Sequence, residues 1–278
     1  MVINLRVLAI LLVVLGVPGG DYGRAPDVAA PPVLLELFTS EGCSSCPPAD
    51  ELLERLDAAQ PVPGVQLIVL SEHVDYWNHD GWKDPYSSAQ LTERQSGYVH
   101  SLGLNTPYTP QFIVDGASEL KGDASDVAQT LQKASTAAKV AVRIRSLRID
   151  AGSPALVQGH IEVDGGSQKQ NADIFVVTAL DHAESEVSRG ENSGRHLTHV
   201  AVAQQFLKVG KFEKQKTFSQ SFQLKLKSRI DPANIRVIVL VQEPGFGKVL
   251  GAALQTVTNE NGKRSPYSRS KMVSVGLR

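Results

Sequence analysis

Hydrophobic positions follow two different rhythms along this chain. Up to about residue 139, short unbroken apolar runs alternate with stretches in which apolar residues recur every three or four positions, whereas beyond it apolar and polar positions alternate in twos. An unbroken short run suits a strand covered on both faces, and the wider spacing suits an amphipathic helix. Residues 31–38, PPVLLELF, and 65–71, VQLIVLS, read as such strands. Between them residues 49–59 read as a helix, with Leu52, Leu53 and Leu56 on one side and Asp50, Glu51 and Glu54 near its start, where the helix dipole favours acids. Strand, helix and strand in such close order predict a right-handed βαβ unit with parallel strands.

A polar and aromatic segment, EHVDYWNHDGWKDPYSS, leads into a helix predicted over residues 88–102, where Leu91, Gln95, Tyr98 and Leu102 share a face. Prolines then precede a strand over residues 111–114, Asp115-Gly116 signals a hairpin turn, and residues 125–138 read as a closing helix. From residue 140 onward six strand-like segments follow, with residues 200–207 as the one candidate helix among them. This pattern predicts an α/β domain over residues 31–139 and an all-β, sandwich-like domain over residues 140–278.

Composition adds little to this picture. The chain has 278 residues, 42% hydrophobic and 21% charged, with a formal net charge of -1, which is ordinary for a globular protein. A nucleic-acid or anionic-membrane partner is not expected, because such surfaces need clustered positive charge, and Lys211, Lys214 and Lys216 read as a solvated face. The N-terminus changes the picture more: Arg6 precedes an apolar run over residues 7–17, followed by Pro, Gly and small residues. This is the layout of a secretory signal over residues 1–30, and the run is too short to cross a ~30 Å hydrocarbon core comfortably. The expected destination is periplasmic or secreted, with no stable membrane insertion after cleavage.

The chemistry concentrates at the only two cysteines, Cys43 and Cys46, in LFTSEGCSSCPPAD. They follow the first strand and open the first helix, at the carboxyl edge where ligands gather in α/β sheets. A helix N-terminus favours thiolate, so Cys43 is expected as an exposed nucleophile and Cys46, one turn in, as the resolving thiol. Pro47-Pro48 suit a first helical turn. Thr109-Pro110 precedes a strand, where a cis bond would turn the chain beside the cysteines. His73 ends the second strand and could exchange a proton with a thiol; Asp75 and Trp77 follow it, and Trp77 either lines a groove or joins a local core with Tyr76, Trp82 and Tyr86. A polar run, SRGENSGRHLTH, offers Arg189, Glu191, Asn192 and Arg195 either for an anionic or peptide ligand or for ion pairs between domains. No cofactor is implied. Metal is the chief rival use of the cysteines: Cu(I) suits two thiolates plus a histidine such as His73, whereas zinc lacks a second ligand pair with the right spacing.

The segments ELFTSEGCSSCPPAD, HVDYW, GWKDP, ERQ, YTPQFIVDG and RGENSGRHLTH resemble a family of bacterial exported thioredoxin-like proteins that is catalogued only as a domain of unknown function. The resemblance implies a thioredoxin-like fold for the first half, with Thr109-Pro110 at the cis-proline position beside the CxxC pair. Glu36 is one residue out of register with the buried acid of the best-known thioredoxins and is expected on the opposite strand face. The placement of Cys43 and Cys46 at a strand end and helix start, with Thr109-Pro110 opposite, makes thiol–disulfide exchange with protein or peptide partners the leading expectation. A Cu(I)-handling protein and a binding module with a structural disulfide are its alternatives.

Overall fold

The computed structural model describes residues 30–121, 124–150, 152, 154–166, 168–226 and 231–256, so residues 1–29 of the expected signal lie outside the described residues. In chain order the elements are β1 (Pro32–Thr39), α1 (Pro47–Ala59), β2 (Gln66–His73), α2 (Ala89–Ser101), β3 (Gln111–Val114), β4 (Ser118–Leu120) and α3 (Ala124–Ser135). Strands then dominate: β5 (Ala141–Asp150), β6 (Leu156–Asp164), β7 (Ala172–Glu186), β8 (His196–Phe212), β9 (Phe218–Lys225), β10 (Ile235–Gln242) and β11 (Val249–Thr256). The βαβ reading holds, since β1 and β2 pair in parallel from Pro32↔Gln66 to Thr39↔His73. Asp115 and Gly116 both take positive φ, 50° and 58°, as a tight primed hairpin turn requires.

The expected thioredoxin-like α/β domain followed by a β-sandwich is overturned. The protein is mostly β, and β2 pairs in parallel with β8 through Ser71↔Val202, so one mixed sheet of order β11-β10-β7-β8-β2-β1-β3-β4 runs through both halves of the sequence. The candidate helix at residues 200–207 lies within β8, a 17-residue strand that pairs with the 15-residue β7 along almost its full length. Val200, Ala201, Val202 and Ala203 are all buried, so both faces of this strand are covered; an amphipathic helix would have left one side polar.

The two faces of β10 tie the second half to the first. Val237, Val239 and Val241 pack with Val157, Ile161 and Phe222 of the separate three-stranded sheet β5-β6-β9. Ile238 and Leu240 instead pack with Leu34 of β1 and with Ile68 and Leu70 of β2. The eight-stranded sheet therefore curls, bringing its β10–β11 end over the face of β1 and β2. Val249 N–H donates to Asp115 O at 2.7 Å, and Lys139 Nζ reaches both Asp115 Oδ2, at 2.7 Å, and Val249 O, at 3.0 Å, to close the curl. The helix α1 covers the opposite face through Leu53 and Leu56, and Arg236 of β10 grips its Asp57 through two hydrogen bonds of 3.0 and 2.7 Å.

Charged groups are enclosed where the curl meets α2. Arg94 Nε donates to Glu36 Oε1 at 2.8 Å, its Nη2 donates to the Tyr98 hydroxyl at 2.7 Å, and its Nη1 donates to Gln242 Oε1 at 3.1 Å. Glu72 Oε1 lies 3.4 Å from the same guanidinium, whose carbon sits 4.5 Å from the centre of the Phe206 ring. Glu36 thus faces α2, the side away from α1 and the cysteines. Burial and the neighbouring Glu36 carboxylate push the Glu72 pKa well above its ordinary range, against the pull of Arg94.

Two outcomes are expected of this cluster. Glu36→Ala leaves a buried cation short of its main partner and should cost about 3–5 kcal/mol in chemical unfolding at pH 7. Because the Glu72 pKa is raised in the folded state, the stability it contributes is complete below its unfolded value of about 4.3 and declines as pH rises. Glu72→Gln should therefore be more stable than the wild type at pH 8, with the gap closing toward pH 4.5.

Candidate functional site

The site grows from the carboxyl edge of β1. After Thr39 the chain turns through Ser40-Glu41-Gly42, Cys43 N–H donates to Ser40 O at 3.1 Å, and Cys46 N–H donates to Cys43 O at 3.2 Å. These tight turns bring the two Cα atoms to 5.4 Å, and the sulfurs are joined as a disulfide. Pro47 and Pro48 occupy the first helical turn of α1, so the N-terminal N–H groups that remain there are those of Ala49 and Asp50, both donating to Cys46 O. The prolines thus remove donors that would otherwise face a thiolate. Ser45 Oγ, 3.3 Å from Cys43 Sγ, offers one in their place.

Gly42 is required by a close approach. A Cβ there would meet Trp77 Cβ at 2.9 Å, and Trp77 in turn donates from Nε1 to Thr109 Oγ1 at 2.8 Å. The Thr109-Pro110 bond is cis, and Gln111 pairs with Phe38, which sets Pro110 at the level of Thr39. Trp77 consequently links the cysteine turn to the Thr-Pro segment while packing against Phe38, Val74, Tyr98 and Ile113.

The expected exposure of Cys43 is not found: it is 1% exposed, and Cys46 is 0% exposed. The β7–β8 connection, residues 187–195, lies against the cysteine turn. Asn192, itself fully buried, donates from Nδ2 to Glu41 O at 2.8 Å and to Cys43 O at 2.9 Å, and Glu191 Oε2 accepts from Ser44 N–H at 2.9 Å. Arg189 and Arg195, at the flanks of the same loop, are exposed. Of the residues expected to bind a ligand, Asn192 and Glu191 therefore bind the protein's own cysteine turn.

Behind the turn lies a buried acid–base cluster. Glu41 Oε2 accepts from Trp82 Nε1 at 2.7 Å, Glu41 N–H donates to Asp84 Oδ2 at 2.9 Å, and that same oxygen lies 2.7 Å from His73 Nδ1. The His73 ring stands edge-on to His199 with centroids 4.6 Å apart. His199 Nε2 lies 3.3 Å from Glu41 Oε1, its Nδ1 lies 3.6 Å from Asp50 Oδ1, and Thr39 Oγ1 donates to Asp50 Oδ2 at 3.0 Å. Burial works to lower the His199 pKa, but hydrogen bonds and charge from Asp50 and Glu41 outweigh it and push it up to about 9. Burial alone would raise Asp84, yet His73 and the N–H groups of Glu41 and Tyr86 hold it below its ordinary value. A cavity of about 60 Å³ between Pro47, Asp50, Glu51 and residues 196–199 is wide enough for water and brings solvent to the edge of the His199–Asp50 pair.

Sequence reasoning singled out His73 from its place at a strand end, but passed over Glu41 and Asp84. Their one signal is position: both flank the expected site, and nothing local marks an acid for burial. His199 ends the polar run SRGENSGRHLTH, where nothing local sets it apart from its neighbours. Among the described residues no group of three or more His, Cys, Asp and Glu side chains is arranged to hold a metal ion, so the copper-handling alternative finds no third ligand grouped with the two sulfurs. No described helix is long and apolar enough to cross a membrane.

Fold and site together define a mixed-sheet protein with a covered disulfide set against a buried charged cluster. Residues 34–242 match the family model described as "Protein of unknown function (DUF1223)", and the chain belongs to that family. A crystal structure of a protein from Agrobacterium tumefaciens is similar, with a TM-score of 0.63 and 28% identity over 82% of this chain and 95% of that one. HBP35 of Porphyromonas gingivalis shares the fold, with a TM-score of 0.62 at 15% identity over 89% of this chain and 80% of its own. No curated protein matches the chain.

His199 sets a further expected outcome. Its folded pKa, about 9, exceeds the unfolded value of about 6.5, so the stability it contributes is fully present below pH 6.5 and lost as pH rises through 9. The loss should be on the order of 3 kcal/mol between pH 6 and 10, read by chemical unfolding, and His199→Gln should flatten that part of the profile.

Proposed function

We propose that the Cys43–Cys46 pair carries out thiol–disulfide exchange with protein or peptide thiols in an exported, oxidising compartment. The observation that carries the reading is the disulfide itself, held by a three-residue separation at the start of α1 and backed by groups able to hold and move a proton. So short a loop restricts the unfolded chain little, so a purely structural role gains little from it. In the oxidising direction a substrate thiolate attacks Cys43 Sγ, the bond to Cys46 breaks, and Cys46 leaves as a thiolate while a mixed disulfide forms on Cys43. A second substrate thiolate then attacks the substrate sulfur of that mixed disulfide, freeing Cys43. The substrate loses two electrons and two protons, and the protein gains two thiols. Run backward, the same steps reduce a substrate disulfide.

The surrounding groups support these roles. The Ser45 hydroxyl is placed to donate to a Cys43 thiolate. Asp50 sits one helical turn beyond Cys46, with its carboxylate beside His199, which is protonated at neutral pH. His73, locked by Asp84, acts as a positioning residue that fixes the His199 ring. Trp77 and Thr109 shape the wall on which an extended substrate would lie.

The test is trapping with Cys46→Ser, which prevents resolution. Mixed disulfides through Cys43 should accumulate in the exported compartment and disappear in the Cys43→Ser, Cys46→Ser double variant. If none form, and Cys43 in the reduced protein is alkylated with an ordinary thiol pKa near 8.5, the exchange reading is wrong.

A further inference from the structure

We propose that residues 187–195 form a latch that must leave the cysteine turn before the Cys43–Cys46 disulfide can react. The proposal rests on the exchange reading for its purpose but on geometry alone for its content. Exchange requires an attacking sulfur to approach in line with the S–S bond, and neither sulfur is reachable while Cys43 and Cys46 are 1% and 0% exposed. The loop that lies against this turn is held by discrete polar contacts: Asn192 spans the carbonyls of Glu41 and Cys43, and Glu191 takes the Ser44 N–H. The carbonyls of Glu41 and Cys43 and the Ser44 N–H are backbone groups that an extended substrate would otherwise be free to use. The latch in effect fills the substrate position with the protein's own chain.

The remaining contacts of the loop suit a part that opens as a unit. Gly190 and Gly194 take φ values of 76° and 81°, and Val187 N–H and Arg195 O close the neck of the loop at 3.0 Å, where the β7–β8 ladder resumes. The tip between them is Ser188, Arg189, Glu191 and Ser193, all exposed, around the single buried side chain of Asn192. A Cβ on Gly190 would lie 3.1 Å from both Asp80 O and Trp82 Cβ, so the loop is seated against the residue 80–82 segment as well as on the cysteines. Freeing it means withdrawing one buried amide while β7 and β8 stay paired.

The experiment is the rate at which dithiothreitol reduces the purified full chain, two thiols of the reagent closing to a ring as Cys43–Cys46 opens to two thiols. Asn192→Ala should reduce about tenfold faster than the wild type, the change expected from losing two hydrogen bonds of ordinary net strength, and Glu191→Gln by a smaller factor. A protein-sized dithiol should be hindered more than dithiothreitol in the wild type, and that gap should narrow in Asn192→Ala. Val239→Ala, in β10 and remote from the loop, supplies a variant of comparable stability loss. If it reduces as fast as Asn192→Ala, or if Asn192→Ala reduces no faster than the wild type, the latch is overturned. Should Asn192→Ala fail to fold, Glu191→Gln against Val239→Ala decides in the same way. Because the reagent is a small thiol, the outcome stands whether or not trapping finds natural partners.

Discussion

A single guanidinium organises this molecule. Arg94 projects from α2 into a space walled by β1, β2, β8 and β10, and a cation there is tolerable only with carboxylates and a phenol closing around it. Glu36, Glu72 and Tyr98 supply that shell, and Gln242 completes it from the far end of the sheet. The curl of the eight-stranded sheet and the burial of these charges are thus linked: flatten the sheet and Arg94 loses Gln242. The disulfide edge of β1 and β2 rests on the same strands, so the stability of the charged cluster and the geometry of the cysteine turn are set together.

The site places groups of opposite character on the two faces of the same strands. Toward α2, buried Glu36 and Glu72 outnumber the one cation, and the excess acid is drawn toward its neutral form. Toward the cysteines, His199 lies between Glu41 and Asp50 and holds its proton to unusually high pH. Carboxylates are present in both places, and what separates them is whether the neighbouring base can ionise in response. That difference makes the second cluster suited to proton traffic and the first to rigidity.

Much of the first half was legible because each strand there is an unbroken apolar run and each helix keeps its spacing; β3 emerges over the residues expected, and α1 and α2 begin or end within two residues of their expected limits. The joining of the halves was not. A strand buried on both faces, such as β10, announces that something covers each face but not what, and the nearest candidate in sequence was a partner sheet of its own kind. In fact one cover is that sheet and the other is the first half of the chain. The cysteine pair, His73 and Thr109-Pro110 could be found from their positions at strand ends. Glu41, Asp84 and the inward turn of Asn192 could not, because burial of a polar side chain is decided by residues far away in sequence.

The order in which the chain is made gives the cover over the cysteines a temporal meaning. Asn192 follows Cys43 by 149 residues, so during synthesis the cysteine turn emerges well before the hairpin that will lie against it has been built. Docking of the loop on that turn waits until both β7 and β8 have been made. Enclosure of the cysteine turn is in this way a late event, which ties a segment near the start of the chain to one far along it.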